Sequence, residues 1–306
     1  MCAYPIVFTA DMHLRDSKPK CRTDDFYEVQ MDKLQQVLKI VDKYDAMWMD
    51  AGDFFHQARP SYKLISDVLD ILTIDYKLPI FSLCGNHDQP WHNMEKIQDS
   101  GIGVLHAAGA VTFLDDSPVK YGPFKIYGCP YGGDIPEAEE WNGINILVFH
   151  GMVWPNRRGM IPGVEGILAK QMLHSHPSYD IIVSGHNHQT FCTEAKNRLL
   201  CNVGSLSRQT ADQIAHQPCI LVVESKDGGG FNWHLEYLEV DKNAVSAKHL
   251  EEAAKKEEEL NAFVEGLKNM EEASLSFKDN VDRIIRQTKP DKETIEKIKE
   301  AVYGER

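Results

Sequence analysis

No apolar run in this 306-residue chain approaches the ~20 residues that a helical membrane span needs, so none is expected. The seven cysteines stand at 2, 21, 84, 129, 192, 201 and 219, odd in number and with no C-x-x-C pair. That scatter argues against a disulfide framework and against cysteine-ligated zinc, and favours reduced thiols in the cytoplasm. The opening "MCAYPIVFTAD" has no basic n-region and reads as a first strand, not as a signal peptide. A basic excess is missing too. The net charge is −13, of which residues from 241 onward carry −3 and the first 240 carry −10. An acidic chain is poorly suited to unaided nucleic-acid binding, which depends on Lys and Arg neutralising phosphates; bound divalent metals would offset that charge locally.

What is present is a rhythm. "PIVFTA" (5–10), "AMWMDAG" (46–52) and "PIFSLCG" (79–85) are short apolar runs, with amphipathic stretches at 26–43 and 61–74 between them. Strand, helix, strand, helix, strand is the pattern of an α/β layered sheet. Residues 111–130 look like a hairpin region. "NILVFHG" (145–151) and "DIIVSGH" (180–186) read as buried strands, and 198–205, 218–225 and 231–240 as antiparallel ones. The expectation is two sheets packed face to face with helices outside. From Ser246 charge density rises, with helical stretches from 246, at 276–287 and at 291–303. Leu260, Phe263, Val264 and Leu267 make a narrow apolar stripe on the first. The expected organisation is a catalytic domain over 1–241 and a helical tail, a capping or partner-binding region, over 242–306.

Each expected strand ends in a cluster of chemistry-bearing residues. The first is followed by "DMH" (Asp11, His13), the second by "GDFFH" (Asp53, His56) and the third by "GNHD" (Asn86, His87, Asp88). The strand at 145–149 ends in His150, and that at 179–184 in "GHNH" (His186, His188). Ligand sites in α/β sheets lie at the carboxyl ends of strands, so these groups should converge. The mixture of imidazole, carboxylate and amide suits Mn²⁺, Mg²⁺, Fe or Zn²⁺. Seven candidate ligands exceed one tetrahedral ion and suit two ions sharing a carboxylate, the clamp for in-line displacement at phosphorus. Asp11 and His13, like His186 and His188, are two apart, and in an extended segment would point to one side.

In this order, the five blocks resemble the signature of the calcineurin-like metallophosphoesterases, and the resemblance implies a four-layer αββα sandwich. "GDFFHQARPS" (52–61) and "NVGSLSRQTADQ" (202–213) resemble segments of the SbcD-type DNA-repair exonucleases in particular. The compact form is similar to phage-encoded relatives, which implies a bacterial or phage-infected host cytosol. The resemblance implies Asp11, His13, Asp53 and His188 on a first metal, Mn²⁺ by preference. Asp53 would bridge to a second ion completed by Asn86, His150 and His186. His87, oriented by Asp88, would contact the scissile phosphate and help protonate the leaving oxygen, while a metal-bridging hydroxide attacks. The expected substrate is DNA, the implied partner an SbcC-like coiled-coil ATPase, and a homodimer is possible. A phosphatase or phosphodiesterase acting on nucleotides or phosphoproteins is the rival reading. A non-catalytic scaffold is disfavoured because every ligand block is intact.

Other residues carry two readings each. His56 is a substrate-side group or packs with Phe54 and Phe55. Arg15, Lys18, Lys20 and Arg22 form a solvated loop or a phosphate-backbone rail. The "WPNRRGMIPG" segment (154–163) reads as a loop over the site. Trp91 is a core or loop anchor, or a platform for a base.

Overall fold

A computed structural model describes residues 4–74, 80–114, 117–268 and 277–304. Cys2, Pro79, Asp115, Asp116 and the side chain of Leu267 lie outside the described residues. The chain divides into two compact units, Met1–Val245 and Ser246–Arg306.

Among the described residues, the first unit holds fourteen strands. They are β1 (Ile6–Thr9), β2 (Met47–Asp50), β3 (Ile80–Ser82), β4 (Val111–Phe113), β5 (Val119–Tyr121), β6 (Phe124–Cys129) and β7 (Ile144–His150). Then follow β8 (Val153–Trp154), β9 (Ile167–Leu168), β10 (Ile181–Gly185), β11 (Phe191–Ala195), β12 (Arg198–Asn202), β13 (Cys219–Ser225) and β14 (Phe231–Tyr237). One six-stranded sheet runs β14-β13-β1-β2-β3-β4, the other β11-β12-β10-β7-β6-β5, and β8 pairs with β9.

Side-chain alternation explains the layering. Ile6 and Phe8 of β1, Ile146 and Val148 of β7, and Ile181 and Val183 of β10 are all buried between the two sheets. Their neighbours Val7, Leu147 and Ile182 face the opposite way, toward helices. Each such fully buried side chain contributes roughly 1.5–3 kcal/mol. Helices α1 (Phe26–Tyr44), α2 (Tyr62–Ile74) and α3 (Gly101–Ala107) cover the first sheet, and α4 (Ala169–Ser175) the second. The result is an αββα sandwich. In α1 the buried stripe Leu34, Val37, Leu38 and Val41 has helical spacing; Asp25 caps the start through the Glu28 amide, and Asp45 ends it in the left-handed region.

Two expectations need correction. Residues 111–130 are not one hairpin: β4 joins the first sheet parallel to β3, and only β5 and β6 form the antiparallel hairpin, in the second sheet. β12 pairs antiparallel with β11, a strand of mixed polarity that the periodicity did not reveal, but parallel with β10.

The second unit comprises α5 (Lys248–Lys268), α6 (Phe277–Thr288) and α7 (Lys292–Tyr303), with Phe263, Val281, Ile284 and Ile298 as its small core. Of the predicted stripe, Phe263 is buried, whereas Leu260 and Val264 are exposed. Among the described residues no helix is long and apolar enough to cross a membrane.

Candidate metal centre

β1, β2 and β3 are parallel neighbours in one sheet, as are β7 and β10 in the other, so their carboxyl ends deliver the five blocks to one edge of the sandwich. Beyond β1 and β2 the chain is not regular strand. Asp11, His13, Asp53 and His186 all have positive φ, at 49°, 46°, 57° and 83°. Asp11 and His13 therefore do not reach one side by extended spacing; they are in the left-handed region, uncommon for non-glycine residues although Asp and His adopt it more readily than most, and concentrated at functional sites. Backbone bonds hold them there: the Asp11 amide donates to the Gly52 carbonyl at 3.0 Å and the His13 amide to the Asp53 carbonyl at 2.9 Å.

Two groups of possible ligands result. Asp11, His13 and His188 form one, Asp53, His150 and His186 the other. One atom joins them: Oδ2 of Asp53 is 3.4 Å from Nε2 of His13 and 3.4 Å from Nε2 of His150. Asn86 belongs with the second group, its Oδ1 being 2.8 Å from Nδ1 of His186 and 3.4 Å from Nε2 of His150. Both carboxylate oxygens of Asp11 accept from the His186 amide at 2.9 Å, tying the groups together through backbone. Gly85 is required by close approach: a Cβ there would stand 2.1 Å from Oδ1 of Asp53.

The electrostatics suit cations. Burial holds the His13 imidazole well below its ordinary pKa and takes His186 down to about 4, leaving neutral rings with nitrogen lone pairs. Burial pushes Asp11 up. At Asp53 burial acts in the same direction, but His150, by charge and hydrogen bond, and His13 hold the carboxyl below the usual range. His150 differs from the rings of His13 and His186: burial acts to lower its pKa, but the charge and hydrogen bond of Asp53 raise it to about 9, a proton that a bound metal ion would displace. Imidazole nitrogens, two buried carboxyl groups and an amide oxygen converging on one volume make a donor set that fits two divalent ions. His13 Nδ1, buried and without a hydrogen-bond partner, leaves Nε2 as the nitrogen aimed into the cluster.

The other predicted catalytic residues sit beside this centre. His13, His56 and His87 form a third group, and the rings of His56 and His87 stack at 5.2 Å. His87 Nδ1 bonds the His56 carbonyl at 2.7 Å; a carbonyl only accepts, so Nδ1 carries the proton. That is a correction, since Asp88 does not orient His87. The Asp88 carboxylate instead accepts from the amides of Phe54, Phe55 and Gly85, pinning two ligand loops together, and burial pushes it up to about 8. Phe54 and Phe55 are core residues, whereas the His56 ring is half-buried, with its pKa taken down to about 4 by burial.

Sequence reasoning missed two contributors. Tyr131 follows β6, another strand ending at this edge, and its ring lies 5.5 Å from that of His186. Gln209 donates to the His13 carbonyl at 3.2 Å, bracing the first block. The supposed basic rail is also incomplete. Lys18 and Lys20 are exposed, but Arg22 is buried and paired with Asp24. Trp91 is no core anchor: it is 72 % exposed with the Arg59 guanidinium over its ring. A groove of about 740 Å³ begins at His186 and His188 and runs past Trp154, Phe191, Trp233 and Tyr237; none of the residues lining it is Lys or Arg.

The sequence profile of the calcineurin-like phosphoesterases matches residues 4–190. The chain belongs to that family. With its His/Asp clusters, this phosphoesterase is metal-dependent. No curated protein matches the chain. Among solved structures, a protein from Staphylococcus aureus provisionally described as a 5′-nucleotidase is 13% identical, with a TM-score of 0.51, covering 83% of this chain and 58% of its own. An archaeal phosphodiesterase is 13% identical with a TM-score of 0.40, over 76% of this chain and 99% of its own. A phosphopantetheinyl hydrolase from Mycobacterium tuberculosis is 13% identical with a TM-score of 0.44, over 71% and 93%. At such identity the likeness to the Staphylococcus aureus protein concerns the fold alone.

Proposed function

We propose that this phosphoesterase is a phosphodiesterase that cleaves DNA. The observation that carries the phosphodiesterase reading is the single Asp53 oxygen set between His13 and His150, one from each ligand group. DNA as substrate rests on the resemblance of 52–61 and 202–213 to DNA-repair exonucleases, and on the exposed lysines 18 and 20 after the first block.

Under this reading Asp11, His13, His188 and Asp53 hold one divalent ion, and Asp53, Asn86, His150 and His186 the other. When bound, such a pair supplies charge stabilisation at the phosphoryl oxygens and activates water near neutral pH. The protein's own residues do the rest. Asp88 fixes the loops that carry Asp53 and Asn86. The His56 carbonyl holds the Nδ1–H of His87, so Nε2 is the nitrogen that takes up and delivers a proton to a leaving oxygen. Tyr131 sets its ring beside those of His150 and His186.

The groove without cations favours a second reading, a small phosphodiester with an apolar or aromatic group. One assay separates the two: purified protein with Mn²⁺, labelled single- and double-stranded DNA, and bis-p-nitrophenyl phosphate. Cleavage of DNA supports the first reading. Hydrolysis of the small diester with both DNAs intact supports the second.

A further inference from the structure

Lys33 occupies the buried face of α1, only 4 % exposed, and its Nζ has no hydrogen-bond partner. A buried ammonium with three unused N–H groups is costly and calls for an anion. The residue borders a cavity of about 420 Å³ formed by α1, the Arg22 loop, the segment at 207–208 and the chain after β14.

Two more buried cations border the same cavity. Arg22 is 5 % exposed and Arg208 4 %. Arg22 donates through Nε and Nη2 to Asp24 and through Nη1 to the Arg208 carbonyl. Arg208 donates through Nη1 to the Ile214 carbonyl and through Nη2 to that of Asp241. Each guanidinium has five N–H groups, so both retain donors beyond these bonds. The acids Asp32, Glu239 and Asp241 are exposed at the mouth. Asp32 already accepts from Gln36, and Asp241 from the Asn243 amide. Asp24, which neutralises Arg22, lines the cavity too, so Lys33 and Arg208 are the floor's cations with no carboxylate paired to them among the described residues, beneath an acidic rim. Burial takes Lys33 down to about 8, which leaves it mostly charged at neutral pH.

We propose that this cavity is a binding site for a small oxoanion, with Lys33 Nζ as the principal ligand and the spare N–H groups of Arg22 and Arg208 completing it. No residue lining this cavity, its acids Asp24, Asp32, Glu239 and Asp241 included, is a member of the candidate metal-ligand groups.

The test is thermal unfolding of the full chain against inorganic phosphate at constant ionic strength, in wild type and Lys33→Met, with chelator and again with Mg²⁺. Phosphate at the metal centre affects both proteins equally, and its general salting effect is linear rather than saturable. The expected result is a saturable rise in wild-type Tm that follows site occupancy, with apparent affinity at least about tenfold weaker in Lys33→Met. Lys33→Gln serves if the methionine variant does not fold. A wild type with no saturable rise, or the same saturable rise in both proteins, overturns the proposal.

Discussion

The Nε2 atoms of His13 and His188 stand 2.9 Å apart, although 175 positions separate the two residues. Burial keeps His13 neutral, so its Nε2 and that of His188 meet as a ligand pair, next to Asp11. His186 instead faces Asn86, Asp53 and His150. The two histidines of "GHNH" therefore stand in different groups of possible ligands.

Single substitutions should separate those groups. His188→Ala and His186→Ala are each expected to retain about one ion per chain where the wild type binds two. Metal content after dialysis against Mn²⁺, measured by elemental analysis, checks this. Loss of both ions from either variant contradicts the split.

His87 touches the site without belonging to either ligand group that Asp53 joins. His87→Ala should lower kcat by about 10²–10⁴-fold while leaving metal content unchanged. Steady-state hydrolysis of a phosphodiester beside elemental analysis reads both; a parallel loss of metal would mean His87 is a ligand instead.

Gly85→Ala should disable the centre although it adds only a methyl group. Its Cβ would meet Oδ1 of Asp53 at 2.1 Å and the Asp53 amide at 2.4 Å, so the ligand loop has to shift. About 1–3 kcal/mol of stability should be lost, with metal affinity falling about 10–100-fold. Chemical unfolding and metal titration measure the two effects, and near-wild-type values in both would show that the loop is more compliant than this geometry allows.

Much of this was legible in the sequence because the ligand blocks follow short apolar runs that read as buried strands. Ile6 and Phe8, or Ile181 and Val183, show the alternation directly. Three features were not legible. The left-handed backbone of Asp11 and His13 is imposed by bonds to a loop some 40 residues away, which no local pattern records. Asp88 looks like a partner for its neighbour His87, yet its carboxylate turns to three backbone amides because those buried donors need an acceptor. β11 carries a half-exposed edge sequence, so its periodicity is weak.

Asp50, just behind the candidate ligands Asp11 and Asp53, provides a pH signature in stability. It is wholly buried, and although Thr9, Ser82 and the Gly52 amide donate to it, burial pushes its pKa up to about 7. The folded state binds this proton more tightly than the unfolded one, whose carboxyl titrates near 3.8. Stability from this group is therefore complete below pH ~4 and falls as pH rises to ~7, by about 4 kcal/mol in all. Urea unfolding across that range should show the slope in wild type and a flatter profile in Asp50→Asn. Identical slopes would place the pH dependence elsewhere.

The shared oxygen of Asp53 is the centre of the account, and Mn²⁺-dependent hydrolysis of bis-p-nitrophenyl phosphate by wild type and Asp53→Asn tests it most directly. Wild type should turn over the diester, and the variant, folded by circular dichroism, should be slower by about 10³-fold or more. A variant that keeps wild-type rates, or a wild type inert with Mn²⁺, Mg²⁺, Fe²⁺ and Zn²⁺ alike, would contradict the two-metal phosphodiesterase.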